Sequence, residues 1–105
     1  MTEVEIKAGV CGFATRLQAA SEDGQTVDVW LESDCPTISK LNGHLGRFDA
    51  YSELFRPLAT TELYAKLAPQ QRHIGCPVMV GVFKAIEAAA GLALPRDASI
   101  TFLTA

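Results

Sequence analysis

Between Pro77 and Gly91 the chain carries only two charged residues, Lys84 and Glu87. The rest of that stretch is apolar or glycine. Pro77 suits the start of a helix and Gly91 its C-terminal stop. A helix apolar on most of its faces must be covered, and in a short chain a sheet is the natural cover. This one segment therefore demands a single α+β domain over residues 1–105. Lys84 and Glu87 lie three apart and share a face, where they pair or reach solvent. No apolar stretch reaches about 18 residues without a charge, so nothing reads as a membrane span.

The sheet is legible in the first third. Residues 3–10 alternate, with Val4, Ile6, Ala8 and Val10 facing one way and Glu3, Glu5 and Lys7 the other. Period two with one polar face predicts a half-buried strand. Phe13, Thr15, Leu17 and Ala19 form one side of a second strand, opposite Arg16 and Gln18. Val27, Val29 and Leu31 alternate with Asp28, Trp30 and Glu32 in a third. Asp23-Gly24 between the last two suits a tight hairpin. The result is a three-stranded antiparallel meander.

The middle of the chain reads as short helices. Pro36 suits a first helical position, with Asp34 or Cys35 near the cap. Ile38, Leu41 and Leu45 recur at helical spacing, while Gly43 and Gly46 weaken the helix or end it. Asp49 can cap a second helix bearing Leu54 and Phe55, stopped by Pro57. Thr60 can cap a third with Leu63, Tyr64 and Leu67, stopped by Pro69. Residues 69–75 are a polar loop. After the long helix, Ile100 and Phe102 alternate with Thr101 and admit an extra C-terminal strand, though the pattern assigns residues 92–105 no role.

Composition narrows the function classes. The chain is 49% hydrophobic with a net charge of −3, so it has the apolar mass for a core. Its nine Lys and Arg are scattered, which disfavours nucleic acid. The first residues have neither the basic start nor the apolar core of a signal peptide, so a cytoplasmic protein is expected. No Gly-rich phosphate loop and no Ser–His–Asp order is present.

The three cysteines stand in Cys11-Gly12-Phe13, Asp34-Cys35-Pro36 and Gly75-Cys76-Pro77. Each falls at a junction between elements, where binding groups are often placed. A hairpin turn centred between Asp23 and Gly24 sets residue 12 opposite residue 35. Cys11 and Cys35 then arrive at one end of the hairpin. The Cys-Pro pairs at 35–36 and 76–77 put a sulfur at or near a helix N-terminus, which favours the thiolate. Thiolates bind zinc and iron. If Cys76 reaches the same end, Cys11, Cys35 and Cys76 supply three ligands, and His73 or Asp34 is the candidate fourth. There is no Cys-x-x-Cys pair. His44, in a Gly-flanked stretch, reads as exposed.

The order of strand, Cys11-Gly12, hairpin, Cys35 at a helix start, short helices, His73 near Cys76 and a long Ala-rich helix resembles the iron–sulfur cluster assembly scaffolds of the IscU, SufU and NifU N-terminal type. The resemblance covers roughly residues 4–91. It implies that Cys11, Cys35 and Cys76 hold a cluster or zinc, and that His73 stands for the histidine before the third cysteine. A sulfur donor and a cluster acceptor are the partners it implies. Phe13 stands where that family carries an aspartate, and Ile74 and Gly75 separate His73 from Cys76. The whole chain also resembles a family of small uncharacterised prokaryotic domains with Cys-Gly-Phe, Ser-Asp-Cys-Pro and Cys-Pro-Val motifs.

The expected function is metal or iron–sulfur cluster binding, in cluster assembly or transfer. One alternative is a thiol enzyme or redox sensor, with Cys35 or Cys76 attacking and His73 as a base. The other is a binding module whose cysteines are simply buried.

Overall fold

The computed structural model describes residues 1–105. Four antiparallel strands form one sheet in chain order: β1 (Thr2–Lys7), β2 (Ala14–Ala20), β3 (Thr26–Ser33) and β4 (Gly43–Asp49). Three α-helices follow, α1 (Ala50–Leu54), α2 (Glu62–Leu67) and α3 (Val78–Ala89), with 3-10 turns at Ile38–Leu41, Leu58–Thr60 and Ala68–Gln70.

The alternation of the first three strands holds. Thr15, Leu17 and Ala19 are buried on β2, and Val27, Val29, Leu31 and Ser33 on β3. The predicted first strand ends early. Ala8 donates to the Phe13 carbonyl at 3.1 Å and the chain turns through residues 9–12, leaving Val10 in solvent. The β2–β3 register differs by one from the expected pairing. Thr15 faces Ser33 and Leu17 faces Leu31, so residue 13, not 12, stands opposite Cys35. The reason is the turn itself. Asp23 Oδ1 accepts from the N–H groups of Gln25 and Thr26 at 2.9 and 2.8 Å, and Gly24 takes φ 73°. Five residues, not an even number, separate the strands.

The larger correction is the fourth strand. The three-stranded meander, and with it the NifU/IscU-like arrangement implied by the resemblance, gives way to a four-stranded sheet. The segment read as a helix through Leu41 and Leu45 makes a single 3-10 turn and then enters β4. Trp30 faces His44, but the next partner of β3, Val29, faces Gly46. Leu45 is the extra residue of a β-bulge, so Leu45, Gly46 and Phe48 are all buried. Ile38 and Leu41 belong to the 3-10 turn and Leu45 to the strand beyond it, so the helical spacing joins residues of two different elements. Glycine suits position 46, because a Cβ would lie 3.0 Å from the ring of buried Phe48 and 2.6 Å from Lys66 Nζ, whose ammonium donates to the Leu45 carbonyl at 2.9 Å.

The short helices start where side-chain oxygens meet free N–H groups. Asp49 Oδ1 accepts from Ser52 N at 3.1 Å at the head of α1. Thr61, one residue beyond the expected Thr60, caps α2 through Tyr64 N at 3.1 Å. Leu63 and Leu67 are buried while Tyr64 is partly exposed. The long helix is present as expected, and Gly91 follows it with φ 74°. Residues 92–105 form no strand, which removes the expected C-terminal one.

The core lies between one face of the sheet and the helices. Leu17, Val27, Val29, Ile38, Phe48, Leu63, Leu67, Val82 and Ile86 are among its most buried members. Each such side chain stabilises the fold by about 1.5–3 kcal/mol relative to exposure. The other sheet face carries Glu3, Glu5, Arg16, Gln18, Trp30 and Glu32 around a depression of about 880 Å³. Arg16 lies 3.5 Å from Glu5 and Gln18 donates to Glu3 at 3.1 Å, so three carboxylates face a single guanidinium and the depression is net acidic. None of the cysteines lines it. Beside it Asp28 binds Arg47 at 3.1 Å and His44 at 3.0 Å, and the Arg47 guanidinium first, then His44, holds the Asp28 carboxyl below its ordinary value. His44, exposed as expected, also sits 5.5 Å from the Trp30 ring.

Candidate functional site

The direction of α3 decides whether the third cysteine can join the first two. Two close approaches fix it. Gly81, near the start of α3, lies against Ile6 near the end of β1. Gly24, in the β2–β3 turn, approaches the carbonyl of Ala90 at the other end, where a Cβ would stand 3.5 Å away. The helix therefore runs opposite to β1. Ile6 pairs with Thr15, and Thr15 with Ser33, so one row crosses three strands just beneath the start of α3. Val78 lies three residues before Gly81, about 5 Å further along the axis. Cys76 thus sits at the same end of the domain as the β1–β2 turn with Cys11 and the β3 exit with Cys35.

Cys35 is the most structured of the three. β3 ends at Ser33, whose hydroxyl is buried against Thr15 Oγ1 at 2.8 Å and accepts from Cys35 N at 3.1 Å. Asp34 locks the strand end from outside. Its Oδ1 accepts from Ala14 N at 2.8 Å while its own N–H donates to the Ala14 carbonyl. Cys35 Sγ lies 3.5 Å from Thr37 Oγ1, and the sulfur packs against the core while staying half-exposed. Burial pushes the Cys35 thiol up. The Thr37 hydroxyl and the backbone N–H groups of Ile38 and Thr37 outweigh it, and the net position is below the ordinary 9.0. The free N–H groups of a short helical turn stabilise a thiolate, as the Cys-Pro pattern predicts.

Replacing Thr37 by valine removes the hydroxyl and keeps the shape. The alkylation rate of native Cys35 is expected to rise with pH through a midpoint below 9.0, and Thr37→Val to move that midpoint up. An unchanged midpoint would mean that the hydroxyl does not stabilise the sulfur. The same shift adds stability above the unfolded thiol value, and this is lost as pH falls through the folded one.

Cys11 is exposed in the turn between β1 and β2. Gly9 and Gly12 both have positive φ there, and Gly12 N donates to the Gly9 carbonyl at 2.9 Å. Cys76 is half-buried against the core, and its N–H closes a turn onto the carbonyl of exposed His73 at 3.0 Å. Just upstream, Gln71 Oε1 is buried without a hydrogen-bond partner. The fold thus brings His73 close to Cys76 along one turn, Asp34 beside Cys35, and all five predicted residues to one end. It does not gather any three His, Cys, Asp or Glu side chains into a group that could hold a metal ion.

Sequence reasoning missed the hydroxyls around Cys35. Ser33 and Thr37 flank it at two residues on either side, and Thr15 supports Ser33 across the ladder. The signal was present in Ser33-x-Cys35-x-Thr37, since Ser and Thr next to a strand end commonly turn back on the backbone.

Fold and site together define a small α+β domain, a four-stranded meander covered on one face by helices, with a thiol on each of three turns at one end. The chain belongs to a family of unknown function, DUF6951, whose model matches residues 2–102. No curated protein and no solved structure matches it. No helix is long and apolar enough to cross a membrane.

Proposed function

We propose that this end of the domain binds a thiophilic metal, as zinc or as an iron–sulfur cluster, through Cys11, Cys35 and Cys76, with His73 or Asp34 as a fourth donor. One observation carries the reading: α3 runs opposite to β1, which brings Cys76 to the end where Cys11 and Cys35 emerge. The donor set suits the group, because thiolate and imidazole are ligands that zinc and iron–sulfur centres both accept. Cys35, with its thiolate favoured, is the anchor. The exposed turns bearing Cys11 and His73 close onto it when metal binds. Asp34 already spends one oxygen on Ala14 N, so it offers the other. In this reading the protein works in the cytoplasm, where thiols stay reduced. As a cluster carrier it would meet a sulfur donor and an acceptor.

The test is anaerobic purification of the untagged protein, with iron, zinc and sulfide measured per chain and an absorption spectrum recorded. Iron with acid-labile sulfide, lost together in Cys35→Ala, supports a cluster. Colourless protein with zinc near one per chain supports a zinc site. No metal after reconstitution, with three freely titrating thiols, contradicts the proposal. A second reading rests on the lowered Cys35 thiol, which suits a redox sensor. It predicts a Cys35 sulfenic acid or disulfide under mild peroxide in a protein that never takes up metal.

A further inference from the structure

Residues 92–105 are the least accounted for part of the fold. Ile100, Phe102 and Leu103 are 88%, 89% and 91% exposed, and Leu94 is also largely in solvent. No backbone hydrogen bond involves residues 97–105. Yet residues 98–105 read Ala-Ser-Ile-Thr-Phe-Leu-Thr-Ala, with no charge, no glycine and no proline. β-Branched and aromatic residues at alternating positions favour a strand, and a run of exposed apolar side chains marks an interaction surface.

The same molecule holds a matching vacancy. β1 is an edge strand, hydrogen-bonded only to β2. Its length, Thr2–Lys7, equals that of residues 98–103. Val4 on its core side is only half-buried at the sheet margin, although it packs against the core. The tail leaves α3 at Gly91, at the end of the sheet where β1 begins, because Ala90 lies by the β2–β3 turn and Thr2 pairs with Ala19. To pair with its own β1 the tail would have to turn back and run parallel to it, the weaker arrangement. A second copy can present β1 in the antiparallel sense. The residues between Gly91 and the start of the strand-like segment span up to about 20 Å when extended, enough to reach it.

We propose that residues 98–103 form a fifth strand on the free edge of β1 in a second copy of this chain, exchanged reciprocally to make a two-fold dimer. Each exchange satisfies the backbone of the tail, covers Val4 with Ile100 or Phe102, and removes an open edge. Reciprocal exchange closes at two copies, so no filament grows. The dimer does not depend on the metal reading, since neither β1 nor the tail contains a cysteine.

The test is the mass in solution by light scattering over the micromolar range, with reductant and chelator present so that metal cannot bridge chains. The wild type is expected at the mass of two chains. Ile100→Pro, which removes a ladder N–H and an apolar side chain from a segment outside the folded core, is expected at the mass of one, with an unchanged helix signal. A sample mixed from isotopically labelled and unlabelled chains is expected to show intermolecular amide contacts between residues 98–103 and Thr2–Lys7. A monomeric wild type overturns the proposal. So does a dimer that survives Ile100→Pro, or one without those contacts.

Discussion

Gly81→Leu is expected to destabilise the protein by roughly 3 kcal/mol, the upper part of the range for overpacking a core. Even a single methyl group at Gly81 would sit 2.6 Å from Ile6 Cγ1 and closer still to Cδ1. Ile6 cannot swing away cheaply, because it is buried under the helix. In a free helix the substitution would help, since glycine costs about 1 kcal/mol relative to better helix formers. The clash reverses the sign. Ile6→Ala in the same chain should recover part of the loss, making the pair strongly non-additive in a double-mutant cycle of denaturant unfolding. Simple addition of the two single losses would show that α3 does not lie on β1 at this point. The contact also reaches the site, because Gly81 on Ile6 sets how far the head of α3, and Cys76 before it, extends past the end of the sheet.

Glu53→Ala is expected to cost about 3 kcal/mol, because hydrogen bonds to a charged group contribute roughly 1.5–3 kcal/mol. Glu53 is only 3% exposed. Its two oxygens accept from Glu62 N at 2.9 Å and Leu63 N at 3.0 Å, while Thr61 Oγ1 takes Tyr64 N. The first turn of α2 is therefore capped by a carboxylate nine residues upstream as well as by its own N-cap. Alanine leaves two N–H groups without partners, one of them on fully buried Leu63. Glu53→Gln retains one acceptor oxygen and should lose about half as much. Equal stability of Glu53→Ala and wild type in urea would remove this carboxylate from any account of how α2 is held.

The contrast between β4 and α3 shows what the sequence could convey. α3 was legible because nearly every face is apolar and Gly91 ends it. The alternation of β1, β2 and β3 was legible because one side of each meets the core. β4 was not, because the bulge at Leu45 breaks the period of two, and Leu45 falls at helical spacing from Ile38 and Leu41 of the preceding 3-10 turn. The hairpin register slipped by one because the Asp23 carboxylate builds a five-residue turn, which the Asp-Gly pair alone does not announce. At the site, the arrival of Cys11 and Cys35 at one end followed from hairpin logic and tolerates that slip. The position of Cys76 did not follow, because it depends on which way α3 lies across the sheet. That is settled by a glycine fitting under an isoleucine seventy-five residues away in sequence, a long-range match that no local pattern contains.

Three thiols on three turns either act as one site or do not. The most direct measurement is alkylation of each cysteine, followed by mass spectrometry, in protein reconstituted with metal and in protein stripped by chelator. Metal is expected to protect Cys11, Cys35 and Cys76 together, and Cys35→Ala to expose the other two at once. Three cysteines alkylated at the same rates with and without metal would contradict a shared site.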